Sequence, residues 1–307
     1  MEASSQIALL LISLLIGFGM QFLRVFPENT YMVLSHYLIY VALPAVVLIH
    51  IPVVTVQTDL MYAMGTSWIV FLTALVVFKT LGRWMQWSRY TTGCLILTAG
   101  LGNTAFLGFP LIEALYGAEG LRIAMVVDQT GTFVIVNTLG IVTASMYASG
   151  TTGKRHIAGR IIRFPPFIVF VLALAMNLTN TQVPEGMLPV LEQFGATLAP
   201  IALITVGLQM QFSQIGNLRT PLFFGLLYTL LVIPALMLLL YVRLPGIEST
   251  VVAVSVTQAA MPPMVTSSII ASTYGLNPRL ASLMLGLGTL VAIATLAGWY
   301  LVLRVVV

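Results

Sequence analysis

The sequence predicts an all-α membrane protein of ten transmembrane helices in two inverted five-helix repeats. Three observations predict it: an apolar composition, apolar runs divided by charged clusters, and matched motifs at one offset. Hydrophobic residues make up 59% of the 307-residue chain and charged residues 7%, and the mean hydropathy is +1.03. A water-soluble domain of that composition would expose much of its apolar surface. The chain therefore belongs in a bilayer, where each crossing takes roughly 20 apolar residues to traverse a core of about 30 Å. A bundle of helices uses the whole length and leaves no room for a soluble enzyme-like appendage. The lone cysteine, Cys94, lies in an apolar run, so no disulfide framework exists.

The first run, 6–23, lacks the basic segment that precedes a cleaved leader and is as long as a full span, so it reads as the first helix. Further runs follow at 31–50, 62–80, 91–115, 121–147, 159–178, 188–211, 218–241, 248–274 and 279–303, parted by charged or turn-forming clusters. Lys and Arg collect on the cytoplasmic side of membrane proteins, which tests this count. The connections after odd-numbered helices hold Arg24; Lys79, Arg83 and Arg89; Lys154, Arg155, Arg160 and Arg163; Arg219; and Arg279, ten of the thirteen basic residues. Only Arg122, Arg243 and Arg304 fall on the other side. Both termini then lie outside the cytoplasm, and the plasma membrane, a bacterial inner membrane, is the expected location. The basic group at 154–163 reads as a topology signal rather than a nucleic-acid or lipid site.

An internal repeat divides the chain into halves, 1–150 and 156–307. In "ALYGAEGLRIAMVVDQTGTF" and "STYGLNPRLASLMLGLGTL", Tyr116 matches Tyr274, Arg122 matches Arg279, and Gly131-Thr132 matches Gly288-Thr289. Pro44 in "ALPAVVLIH" stands opposite Pro200 in "LAPIALITVG", and all these pairs share an offset of 156 to 158 residues. Five crossings per half reverse the direction of the second half. Inverted repeats are the architecture of carriers, whose broken helices mark the substrate site near the midplane.

Two helices carry breaks at matched places. The fourth is interrupted at "GNTAFLGFP", from Gly102 to Pro110, and the ninth at "QAAMPPMV", around Met261, where Pro262 and Pro263 remove two backbone donors in succession. An unpaired peptide group in hydrocarbon costs several kcal/mol, so a break is tolerable only where protein or a watery cavity meets the freed groups. Paired breaks argue for crossing half-helices whose electropositive amino ends face a shared pocket suited to an anion. An isolated proline kink is the alternative for either break alone. Asp128, about seven residues into the fifth helix, is costly to hold charged at that depth. It is either the carrier of a coupling proton or a carboxylate paired with Arg122 or a neighbouring helix. Glu113 reads as paired or water-facing rather than substrate-binding, whereas Asn137, Gln258 and Thr266 either line a path or bond between helices. No HExxH, GxSxG, Walker or metal-ligand spacing occurs, so neither an enzyme nor a metal or other cofactor is expected. An anion channel stays open as an alternative to a carrier.

"NTAFLGFPLIEALYG" and "AMPPMVTSSIIASTYGLNP" resemble the two crossover segments of the auxin efflux carrier family, and "LAPIALITVGLQM" resembles its seventh helix. The resemblance covers the whole chain and is to the bacterial organic-acid type, since the connection after the fifth helix is short. It implies a bile-acid-transporter-like fold, with a scaffold at about 1–52 and 158–212 and a mobile transport domain at about 60–147 and 216–307. It further implies elevator-type movement of a small organic anion, a homodimer through the scaffold, and coupling to protons, to sodium or to neither. By the same resemblance Asn103 hydrogen-bonds the substrate carboxylate, and Thr104, Gln129, Pro262, Pro263, Val265 and Thr266 complete the substrate site. The acid that plant members carry in the third helix has no counterpart in "MYAMGTSWIVFLTALVVF".

Overall fold

The computed structural model describes residues 3–23, 26, 27, 29–53, 60–148, 165–208, 216–244 and 246–307. Arg24, Asp59, Lys154, Arg155, Arg160 and Arg163, and with them much of the charge pattern used above, lie outside the described residues. Among the described residues all regular structure is helical. The helices are α1 (Ala3–Met20), α2 (Thr30–Val53), α3 (Leu60–Trp84) and α4 (Arg89–Gly100). The stretch Gly108–Tyr147 is 40 residues long, about 60 Å at 1.5 Å per residue and twice a bilayer core. It divides at Gly117, whose φ is 68°, into α5 (108–116) and α6 (118–147). Then come α7 (Pro165–Leu178), α8 (Leu188–Leu208), α9 (Gly216–Val242), α10 (Ser249–Ala259), α11 (Val265–Thr273) and α12 (Pro278–Val306).

Among the described residues, six stretches are long and apolar enough to cross a membrane: α2, α3, Gly108–Tyr147, α8, α9 and α12. The expected ten exceed this number for physical reasons. Two of the expected runs are split into half-helices of 12 and 9 residues (α4 and α5) or 11 and 9 residues (α10 and α11). α5 also joins the fifth run, α6, end to end, and the first and sixth runs, α1 and α7, are not among the six. The matched Tyr-Gly pairs of the sequence both mark helix ends, where Gly117 (φ 68°) and Gly275 (φ 69°) take a positive φ that a side chain disfavours.

Among the described residues four π turns widen the helices, at Leu38–Ala42, Asp128–Thr132, Val136–Gly140 and Tyr228–Val232. Pro44 and Pro234 follow the first and last of these by two residues, where a missing N–H would otherwise strand a carbonyl. The turn at Asp128 has no such proline.

The helices pack in two groups. α1 lies along α8, and α2 packs on α7 and α8. The second group joins α3 to α4, α10 to α5 and α6, and α11 to α12. α1 and α8 touch backbone to backbone: a Cβ on Gly17 would strike the Ile204 carbonyl, and one on Gly207 the Leu14 carbonyl. Gln21 Nε2 then donates to Gly207 O at 2.6 Å. Small residues serve membrane helices in this way because lipid supplies no hydrophobic drive for association, leaving close packing to do so.

In the second group, buried tyrosines of α9 pin α3. Tyr228 donates its hydroxyl to Val70 O at 2.7 Å and Tyr241 donates its own to Tyr62 O at 2.6 Å. Arg89 fixes the other end of α4 by donating to the carbonyls of Met146, Tyr147 and Ala148 at 2.7–2.9 Å, where the last carbonyls of α6 have no helical partner.

Gly207→Val forces α1 and α8 apart. Overpacking of this kind costs about 1–3 kcal/mol, and thermal unfolding in detergent is expected to begin at a lower temperature than in the parent; an unchanged midpoint would show that the two backbones do not need their close approach.

Candidate functional site

Seven residues, 101–107, separate α4 from α5, and five, 260–264, separate α10 from α11. The two breaks meet. Asn103 N–H donates to Pro262 O at 2.7 Å, and Met264 N–H donates to Leu101 O at 2.9 Å, making an antiparallel bridge between Gly102 and Pro263. Each break thus satisfies the backbone groups that the other exposes. Pro262 and Pro263 suit the place because a residue without an N–H has no donor to satisfy. Within the first break, Thr104 N–H bonds to Gly102 O at 2.9 Å and Gly108 N–H to Asn103 O at 3.0 Å. Pro110 differs from the expectation: it does not break the helix but stands in the first turn of α5, where its missing N–H is one of the groups left free in any helix.

Beside the crossing lies a cavity of about 120 Å³, lined by Asn103, Asp128, Gln129, Asn137, Val265 and Thr266. Its remaining wall is apolar, with Phe106 and Phe133 on one side and Ile39 and Leu43 of α2 on the other. Asn103 is 4% exposed and Gln129 1%, and both keep an unsatisfied atom, Nδ2 of Asn103 and Oε1 of Gln129. The other end of Asn103 is occupied, since Oδ1 accepts from Phe106 N–H at 3.2 Å. The side chain therefore shapes the first break and still offers one donor to the cavity. α11 begins at Val265 on the cavity wall, so its first-turn N–H groups add partial positive charge there.

Asp128 sits at the crossing itself. Its Oδ1 accepts from Thr104 Oγ1 at 2.6 Å and its Oδ2 from Gln129 Nε2 at 2.7 Å. Pairing with Arg122, one alternative of the sequence reading, is not found: Arg122 bonds to Glu119 at 3.1 Å near the start of α6. The structure instead bears out the bond to a neighbouring segment, and that segment is the broken helix. The π turn that opens at Asp128 carries Gln129 with it, the kind of local widening that often marks functional positions.

The remaining expected residues divide by position. Thr104, Pro262 and Pro263 back the cavity without lining it; Gly102, Thr104 and Met261 border a small cleft behind it with Ser67 and Thr132. Pro110 and Glu113 face a different cavity, with His50 and Glu192. Gln258 bridges the two halves of the site, its Nε2 reaching Thr104 O at 3.3 Å and Ala124 O at 3.4 Å, and its Oε1 is unsatisfied. Asn137 lines the cavity while bonding to Phe133 O of its own helix. Ile39, Leu43, Phe106 and Phe133 were not anticipated; Ile39 and Leu43 look like lipid-facing residues in the sequence, whereas Phe106 and Phe133 directly follow the polar runs GNTA and DQTGT, a signal that could have found them.

A family profile described as membrane transport protein matches residues 3–300. The chain is 23% identical over 305 residues to an uncharacterized transporter of Methanocaldococcus jannaschii, covering 95% of this chain and 96% of the relative. It is 26% identical over 320 residues to an uncharacterized transporter of Methanothermobacter thermautotrophicus, covering 99% of each.

Thr104→Val removes the hydroxyl that Asp128 Oδ1 accepts. Leaving a buried acceptor unsatisfied costs about 1–3 kcal/mol, so the midpoint of thermal unfolding in detergent is expected to fall with valine and to recover with Thr104→Ser; equal midpoints for all three proteins would discount the bond.

Proposed function

The chain belongs to this family of membrane transport proteins, the auxin efflux carrier family, and from that premise we propose that it is a secondary carrier for a small organic anion, a mono- or dicarboxylate. The observation that carries the reading is Asn103 Nδ2, a buried donor without a partner on the wall of a cavity that also holds the amino end of α11. A carboxylate placed there receives a side-chain hydrogen bond and the favourable end of a helix dipole. Gln129 and Thr266 bound the same space and set the substrate's shape.

The ten runs all cross the bilayer, in two inverted repeats, 1–150 and 156–307. Supporting this are the reciprocal bonds of the two breaks and the glycines of positive φ at matched positions, Gly117 and Gly275. The scaffold, about 1–52 and 158–212, and the transport domain, about 60–147 and 216–307, follow the two packing groups of helices. Because the breaks are bonded to each other, the site travels as one body against α2, whose Ile39 and Leu43 close it from the scaffold side. Such travel is an elevator movement. Both termini lie on the non-cytoplasmic side of the plasma membrane, and the scaffold helices pair two copies into a dimer.

Asp128 carries the coupling proton. An anion bound beside a charged Asp128 is repelled, and beside a neutral one it is not, so proton and substrate favour each other's binding. Gln129 Nε2 and Thr104 Oγ1 hold the carboxyl in place in either state.

In liposomes tested against a carboxylate panel, Asn103→Ala is expected to weaken substrate binding roughly ten- to hundredfold, the loss of a hydrogen bond to a charged group worth about 1.5–3 kcal/mol. Undiminished uptake would remove the carboxylate contact. Asp128→Asn should abolish stimulation by an imposed pH gradient while substrate exchange persists; full stimulation in that variant would end the proton assignment. Substrate on the far side should accelerate uptake, as a carrier requires, and its failure to do so would favour a channel.

A further inference from the structure

A second cavity of about 330 Å³ lies away from the crossing, between α1, α5, α8 and α12. Its wall is almost wholly apolar. α5 contributes Leu111 and Leu115, and the break just before it contributes Leu107, at intervals of four residues that place all three on one face. α1 and α8 supply Leu11, Leu14 and Leu203. α12 supplies a continuous stripe from Thr289 through Ile293 and Leu296 to Tyr300. The polar group at the deep end is already satisfied, since Thr289 Oγ1 donates to Leu285 O at 2.8 Å.

The dimensions match those of the bilayer. From Thr289 to Tyr300 the stripe extends about 16 Å at 1.5 Å per residue, close to the roughly 15 Å that one leaflet contributes to a hydrocarbon core. Thr289 stands near the middle of α12 (Pro278–Val306), so the crevice runs from mid-membrane depth toward the carboxyl end of that helix. One turn beyond Tyr300, on the same face, comes Arg304, held over the Tyr300 ring with its guanidinium carbon 5.6 Å from the ring centre. That places a fixed, exposed cation about 6 Å past the apolar stripe, at headgroup level.

We propose that this crevice seats one acyl chain of a phospholipid whose phosphate rests on Arg304. An apolar slot one leaflet deep, ending in a guanidinium that can form paired bonds to phosphate oxygens, fits that molecule at both ends. The site requires only that the chain be embedded in a membrane. It lies where α1 and α8 face α5 and α12, the groups assigned above to scaffold and transport domain, but the binding itself does not depend on that assignment.

The test reads lipid binding in the purified full chain and not transport, so its failure leaves the carrier reading intact. Native mass spectrometry with an added phosphatidylglycerol is expected to show one tightly held lipid per chain. Leu111→Trp, which fills the crevice, should reduce occupancy at least fivefold, and Arg304→Gln several-fold. Leu301→Trp, with the same added ring on an exposed face of α12, should leave occupancy unchanged. In the parent protein a phosphatidylglycerol with a photoreactive acyl chain should label Leu111, Leu115 or Ile293, a measurement that holds even where a variant fails to fold. Labelling confined to other helices, labelling of this crevice by a second copy of the chain, or occupancy unaffected in a folded Leu111→Trp would each overturn the proposal.

Discussion

The structure depends on one constraint: inside hydrocarbon, a peptide group that leaves a helix must find a partner in protein. Two helices break, and each break solves the other's problem, Leu101 and Asn103 of the first bonding to Met264 and Pro262 of the second. Neither break is tolerable alone. The pairing also decides composition, since prolines at 262 and 263 reduce the donors to be satisfied, while Gly102 brings the first backbone close to the second. What an isolated reading would take for kinks is one compact piece of tertiary structure.

Around that piece, polar side chains divide their valences between holding the fold and facing the cavity. Asn103 uses Oδ1 to steady the start of α5 and keeps Nδ2 free. Gln129 spends Nε2 on Asp128 and keeps Oε1. Gln258 joins the broken helix to α6 through Nε2. Unsatisfied buried atoms are costly in any fold, and among the described residues three of the five, on Asn103, Gln129 and Gln258, lie at this crossing, the other two being on Arg122 and Ser255. Two of these three residues, Asn103 and Gln129, line the cavity opposite walls built from Phe106, Phe133, Ile39 and Leu43, the arrangement on which the proposed substrate site rests.

Much of this was legible in the sequence, and the boundary of legibility is physical. The breaks were visible because Gly, Asn and Pro stand out in an apolar chain, and the matched pairs Tyr116-Gly117 and Tyr274-Gly275 were visible as a repeat, each falling where a glycine takes a positive φ. The exact place of the first break was misjudged at Pro110, whose effect depends on whether it falls inside a helix or in its first turn. The partner of Asp128 was undecided, because Thr104 lies 24 residues away and only the crossing brings it near. Ile39 and Leu43 of the cavity wall and the α1–α8 contact through Gly17 and Gly207 carry no local mark, since a leucine against protein and a leucine against lipid look alike in a string of letters.

The split role of Asn103 has a consequence for how the pocket's electrical preference is stored. Its oxygen serves the framework, and in the carrier proposed above its amide NH₂ serves the substrate, so the two tasks sit on opposite ends of one amide. An aspartate there would keep the capping oxygen and the chain's path, yet present a negative charge where the donor stood. In the carrier proposed above, the preference for an anion is thus shared between this NH₂ group, which the architecture itself does not require, and the amino end of α11 on the same wall.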